Sequence, residues 1–179
     1  DELLKLETER AKKKADSLED HAYTDMLTYI GNRYYFEEKT SALLKEHCPF
    51  TLCYVDLDHL KYINDKFGHM EGDKYLKDFA HVVKQRIRSD DIFARMGGDE
   101  FCIVFLKCEK SIVQEKIEQI LIEFENTAHQ EYFASFSYGI IEAKDGEKEW
   151  TIGEMLEAAD KAMYEQKRIH KQKYKNKLE

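Results

Sequence analysis

Two adjacent glycines, Gly97 and Gly98, separate the run Ile92-Phe93-Ala94-Arg95-Met96 from the run Asp99-Glu100-Phe101-Cys102-Ile103-Val104-Phe105. Both runs are rich in β-branched and aromatic residues. A two-residue connection between such strands needs positive φ, which glycine adopts without steric cost. The segment is therefore read as a β-hairpin, and antiparallel pairing is built into the sheet. A further apolar run, Phe50-Thr51-Leu52-Cys53-Tyr54-Val55-Asp56-Leu57-Asp58, follows Pro49 as a buried strand that ends in carboxylates, and Tyr132 to Ile141 reads as another strand. Between the strands lie helical patterns: residues 32–46, residues 71–88 with Leu76, Phe79, Ala80, Val83 and Ile87 inward, a stripe from Ile112 to Phe124, and a last helix carrying Ile152, Met155, Leu156, Ala159 and Met163. The order predicts an α/β fold with a mixed, mostly antiparallel central sheet flanked by helices, rather than a Rossmann fold.

Residues 1–22 lack Gly and Pro, and Leu4, Thr8, Ala11, Ala15, Leu18 and Ala22 recur at alternating spacings of four and three. With few Leu in it, the seam reads equally as a solvated connecting helix or a coiled coil. The expected organisation is this N-terminal helix, residues 1–22, and one domain, residues 23–179, which suits a chain of 179 residues.

A net charge of -8 argues against a nucleic-acid partner bound through a broad basic face. Cys48, Cys53, Cys102 and Cys108 show no metal-type spacing, and a reducing cytoplasmic compartment is expected. No stretch approaches the roughly 18 to 20 apolar residues that span a bilayer. Because the first residue is Asp1, the chain reads as part of a longer protein, one that could itself be membrane-bound.

Desolvating carboxylates is costly unless something cationic meets them. On spacing alone, Asp56 and Asp58 divide between a metal role and a bland one, in which one faces solvent and the other caps the following helix. Asp99 and Glu100 shift that balance, because no core packing calls for acids at a hairpin tip. Acidic tips on neighbouring strands would form an oxygen-rich site for Mg²⁺ and suit phosphoryl transfer. Strand alternation sends Asp99 and Glu100 to opposite faces, which favours Asp99 as the shared ligand.

The run Arg95-Met96-Gly97-Gly98-Asp99-Glu100-Phe101 resembles the signature of the GGDEF family of diguanylate cyclases. Residues 56–73, Asp-Leu-Asp-His-Leu-Lys-Tyr-Ile-Asn-Asp-Lys-Phe-Gly-His-Met-Glu-Gly-Asp, are similar to the family's nucleotide-binding segment. Asp25-Met26-Leu27-Thr28 with Asn32-Arg33 resembles its opening motif, and Ala159-Asp160-Lys161-Ala162-Met163-Tyr164 its closing helix. The resemblance runs from about Asp25 to Lys171. It implies a palm-like, nucleotide-cyclase domain that condenses two GTP into cyclic di-GMP and two pyrophosphates across a homodimer, with an upstream sensor domain acting through the first helix.

Carried over by position, the resemblance implies that Asp56, the main-chain carbonyl of Leu57, Asp99 and Glu100 hold two Mg²⁺ or Mn²⁺ ions per active site. Asp99 would also help deprotonate the ribose 3'-hydroxyl. Asn64 and Asp73 would read the guanine edge, an amide and a carboxylate together complementing its acceptor and N–H donors. The N–H groups of His59 and Leu60, with Lys61, Lys167 and Lys171, would hold phosphates. The usual Gly-Arg-Asn ending is replaced here by His170-Lys171-Gln172, so Lys171 supplies charge without a bidentate fork. Arg88 and Asp91 match an RxxD product-inhibition site that Arg95 would join. His69 is expected to orient the nucleotide loop rather than ligate metal. A non-catalytic receptor for GTP or cyclic di-GMP is the alternative, and the retained acids weigh against it.

Overall fold

The computed structural model describes residues 2–127 and 131–178. Its elements run α1 (Glu2–Tyr23), α2 (Arg33–Lys45), β1 (Phe50–Leu57), α3 (Leu60–Phe67), α4 (His69–Lys84), β2 (Ile92–Gly97), β3 (Glu100–Leu106), α5 (Lys110–Asn126), β4 (Phe136–Ala143) and α6 (Ile152–Leu178). The sheet has the order β2-β3-β1-β4 with every strand pair antiparallel. Among the described residues a parallel contact occurs only as an isolated bridge from Gly31 to Ala94, which covers the outer edge of β2. The expected α/β architecture is the one observed.

Strand β1 is central because both of its edges are paired, and its alternation sorts the core into two layers. Cys53, Val55 and Leu57 join Phe101, Ile103 and Phe105 beneath α4 and α5. Leu52 joins Cys102 and Val104 beneath α2 and α6, against Phe36, Met155 and Ala159. In the first layer the Phe79 ring meets Phe93, Phe101, Phe124 and Phe136 edge-on, the arrangement the ring quadrupole favours. In the second, α6 approaches β4 so closely that a Cβ on Gly139 would lie 1.9 Å from the carbonyl oxygen of Ala159. That contact sets where the C-terminal helix crosses the sheet.

Two local expectations shift. The helix expected over residues 71–88 occupies His69–Lys84, and Ile87 packs from the loop that follows. The hairpin turn is Gly98-Asp99 rather than Gly97-Gly98, since Gly97 still pairs with Glu100 across a bulge between Arg95 and Gly97. The bulge lets Met96 turn into the core, and the positive φ values of Gly97 and Gly98, 146° and 52°, absorb the displacement. Asp99 therefore lies in the turn itself.

Helix α1 buries no residue. It is tied on at its last turn, where the Asn32 side chain donates to the Ala22 carbonyl at 2.8 Å and the Asn32 N–H to the Tyr23 carbonyl at 2.9 Å. The same Asn32 caps α2 by accepting from the Tyr35 N–H. No helix among the described residues is long and apolar enough to cross a membrane.

Candidate active site at the end of the central strand

The register of β1 and β3 sets Asp56 opposite Glu100. One step further, the Leu57 N–H donates to the Asp99 carbonyl at 2.9 Å, so the turn of the hairpin is fastened to the end of the central strand. The structure thus brings Asp56, Leu57, Asp99 and Glu100 together. Burial, and then the neighbouring Asp56 carboxylate, push the Asp99 carboxyl up to about 6. Glu100 is engaged by Tyr54, whose hydroxyl is held well above its ordinary range by burial and by hydrogen bonding to that carboxylate.

Lys167 of α6 brings a cation to these acids, its Nζ 2.7 Å from Asp56 Oδ2. Burial opposes its charge, but Asp56 outweighs burial and raises the Lys167 pKa. Among the described residues, no three His, Cys, Asp or Glu side chains enclose a metal by themselves. Asp56 and Asp99 instead form an incomplete oxygen set crowded enough to repel each other. Mg²⁺ favours such a set when substrate phosphates and water complete its shell. The donors fit a divalent cation.

Asp58, two residues beyond Asp56, behaves oppositely. Ser135 Oγ donates to its Oδ2 at 2.8 Å and Ser137 Oγ to its Oδ1 at 3.0 Å. His170 Nδ1 stands 2.8 Å from Oδ2. The adjacent backbone is bolted by Tyr75 of α4, whose hydroxyl lies 2.8 Å from the Asp58 carbonyl and 2.9 Å from that of Ser135. Burial pushes the Tyr75 hydroxyl far up, so it remains a donor. Sequence reasoning missed Tyr75, Ser135, Ser137 and His170 as site-building residues; the only available hint was a Tyr hydroxyl inside an otherwise apolar helical stripe.

After Asp58 the chain turns through His59, in the left-handed region at φ 68°, and enters α3 without a side-chain cap. The first N–H groups of that helix therefore have no side-chain acceptor within the turn. Lys61 is exposed beside them, and Lys171 is close enough to His59 to act on it electrostatically. Asn64 leans on α4, where a Cβ on Gly72 would sit 1.7 Å from its Oδ1; Gly72 clears that space, and Asp73 follows at the surface. His69 is exposed at the start of α4.

Arg88, Asp91 and Arg95 divide. The Asp91 carboxylate is buried and accepts from the N–H groups of Arg88 at 2.9 Å and Leu106 at 3.1 Å, shaping the loop before β2. Arg88 and Asp91 line a cleft of about 550 Å³ with Asp20, Tyr23 and Lys84. Arg95 does not line it. Its guanidinium donates to the Gly98 carbonyl through Nε at 3.0 Å and Nη2 at 2.8 Å, and Nη1 lies 3.4 Å from Asp25 Oδ1. Asp25 in turn accepts from the hydroxyl and N–H of Thr28, so the opening motif braces the hairpin tip through Arg95.

Residues 22–173 match the family model described as diguanylate cyclase, GGDEF domain. The diguanylate cyclase DgcP of Escherichia coli is 34% identical over 161 residues, which cover 85% of this chain and 46% of that protein. The diguanylate cyclase DgcS of Shewanella oneidensis is 31% identical over 168 residues, covering 86% and 52%. The chain spans from about a quarter to about half the length of the curated relatives it matches. Among solved structures, the coiled coil and GGDEF domain of DgcB from Caulobacter crescentus, in complex with c-di-GMP, superposes with a TM-score of 0.80 at 27% identity, covering 92% of this chain and 90% of that one.

Proposed function

Since the chain belongs to the GGDEF diguanylate cyclase family, we propose that it joins two GTP molecules into cyclic di-GMP with release of two pyrophosphates. The observation that carries this reading is the pairing of β1 with the hairpin: Asp56 faces Glu100, and Leu57 bonds the Asp99 carbonyl. Acids from two elements meet there at the mouth of an uncapped helix.

In this reading each domain holds one GTP. Along the guanine edge the Asn64 amide donates to the base's acceptor, and the Asp73 carboxylate accepts from its N–H donors. The N–H groups of His59 and Leu60, with Lys61, Lys167 and Lys171, bind the phosphates. Asp56, the Leu57 carbonyl, Asp99 and Glu100 are the residues that would hold two Mg²⁺ or Mn²⁺ ions. When bound, the metal neutralises the triphosphate and acidifies the attacking hydroxyl. Lys167 then leaves Asp56 for the phosphates. The 3'-oxygen of one nucleotide forms a bond to the α-phosphorus of the other, the α–β bridge breaks, pyrophosphate departs, and Asp99 accepts the hydroxyl proton. Two such displacements close the ring, which requires two domains face to face.

Residues 1–22 serve in this account as a connecting helix that sets how the domains of residues 23–179 meet, transmitting a signal from an upstream sensor in a cytoplasmic protein. Arg88 and Asp91 line a cleft for product, with Arg95 acting from the hairpin side.

The test is incubation with GTP and Mg²⁺ and analysis for cyclic di-GMP, beside an Asp99→Ala control. Cyclic di-GMP from the wild type alone supports the proposal. Nucleotide bound without turnover at high protein concentration would replace it with a receptor function.

A further inference from the structure

Helix α6 continues well past the residues that pack on the sheet, to Leu178. Lys167, His170 and Tyr174 recur at spacings of three and four, so they lie on one face of it. Each meets a different point on the end of β1 and the turn beyond it. Lys167 reaches Asp56 at 2.7 Å and His170 reaches Asp58 at 2.8 Å. The Tyr174 ring stacks on His59 with centroids 3.8 Å apart and planes 21° from parallel. Tyr174 also meets Tyr62 and Phe133 edge-on.

His59 is a non-glycine residue held at φ 68° and is not fixed by a side-chain cap. A left-handed residue persists where its surroundings over-determine it. Here the surroundings are the Tyr174 ring above it and the closed Asp58 network before it. The Asp58 carboxylate can only accept, so His170 Nδ1 carries the proton between them. Ser137, fully buried, also lies 3.1 Å from that nitrogen.

We infer that His170 and Tyr174 are positioning residues that clamp the turn at His59, so that the amides opening α3 are already aimed at a nucleotide's phosphates. This rests on the cyclase reading above, and deepens it. Neither residue touches the reacting atoms; both act through His59 and Asp58. The consequence is a division of labour between helices: α3 and α4 hold the base, whereas α6 fixes the phosphate turn.

The experiment measures binding of a GTP analogue with a methylene bridge between the α- and β-phosphates, and of guanosine, which lacks phosphate, to the full chain with Mg²⁺. Tyr174→Ala and His170→Ala should each weaken the analogue about five- to tenfold, the scale of a lost aromatic contact or charge-assisted hydrogen bond. Guanosine affinity should not change. In turnover the loss should appear as a raised KM for GTP with a smaller effect on kcat. Tyr174→Phe, which retains the ring, should recover most of the affinity. In a double-mutant cycle, Tyr174→Ala should cost little in a His59→Ala background, because the stack is already gone. Equal weakening of guanosine and analogue, or additive losses in the cycle, would overturn the clamp while leaving the cyclase reading intact. A wild type that neither binds the analogue nor makes cyclic di-GMP would overturn both.

Discussion

Asp56, near the end of β1, and Asp58, in the turn just past it, are two residues apart, yet the molecule treats them as different kinds of group. Asp58 is closed: two serine hydroxyls and an imidazole occupy its oxygens. Asp56 is open: beside it, among the described residues, stand a second carboxylate and the Lys167 ammonium. A buried charge with every lone pair satisfied acts as structure, while crowded acids left short of donors store repulsion that a cation relieves. The contrast separates the residues that build the site from those that work in it.

The largest expected effect breaks the open side. Asp99→Ala should lower cyclic di-GMP formation by about a thousandfold, the several kcal/mol a positioned metal contributes to such a transition state, with melting temperature unchanged or higher. Thermal melts alongside product analysis check both halves. Asp58→Ala should do the reverse to stability, costing about 2 kcal/mol and lowering Tm by roughly 4–8 °C because Ser137 and His170 lose their acceptor. If Asp99→Ala destabilised the fold more than Asp58→Ala, the distinction would be lost.

A smaller effect concerns the lysine. Lys167→Met should raise the KM for GTP about fivefold to tenfold, since a phosphate contact disappears, and lower Tm without nucleotide by about 2–4 °C, because the Asp56 carboxylate, 16% exposed beside Asp99, loses the ammonium paired with it. Steady-state kinetics and melts decide it.

The smallest effect sharpens the comparison through pH. The folded Asp99 titrates at about 6 against an ordinary value of 3.8. A carboxyl raised on folding binds its proton more tightly in the native state, so it costs stability progressively as pH rises from about 4 to about 6, and the full cost persists above that. Asp99→Asn should therefore stabilise the metal-free protein at pH 8 and hardly at all at pH 4. Asp25 runs the other way: burial opposes its charge, but Thr28 and Arg95 prevail and hold it below the usual carboxylate range. Its contribution is present at neutral pH and fades as pH falls through the folded value. Melts of Asp99→Asn and Asp25→Asn across this range measure the signs.

Much of this was legible in the sequence, for reasons that differ by residue. The hairpin, the central strand and the helical stripes follow from period and from glycine pairs, which are local signals. The meeting of Asp56 with the hairpin tip followed from acids standing where packing wants none. The turn was displaced by one residue because Met96 is drawn into the core, a tertiary demand that no local pattern announces. Arg95 was expected beside Arg88 and Asp91; it meets Gly98 and Asp25 instead, bracing the hairpin tip, and no local pattern links it to Asp25, far away in sequence. The closed network around Asp58 was illegible: Ser135, Ser137 and His170 are single polar residues 77, 79 and 112 positions away, and nothing periodic links them to it.

The deciding measurement is a structure with Mn²⁺ and the methylene-bridged GTP analogue, the metal located by its anomalous scattering. The expected result is manganese between the carboxylates of Asp56 and Asp99, with Lys167 moved from Asp56 onto phosphate. Nucleotide bound with the Lys167–Asp56 contact intact, and manganese elsewhere or absent, would contradict it.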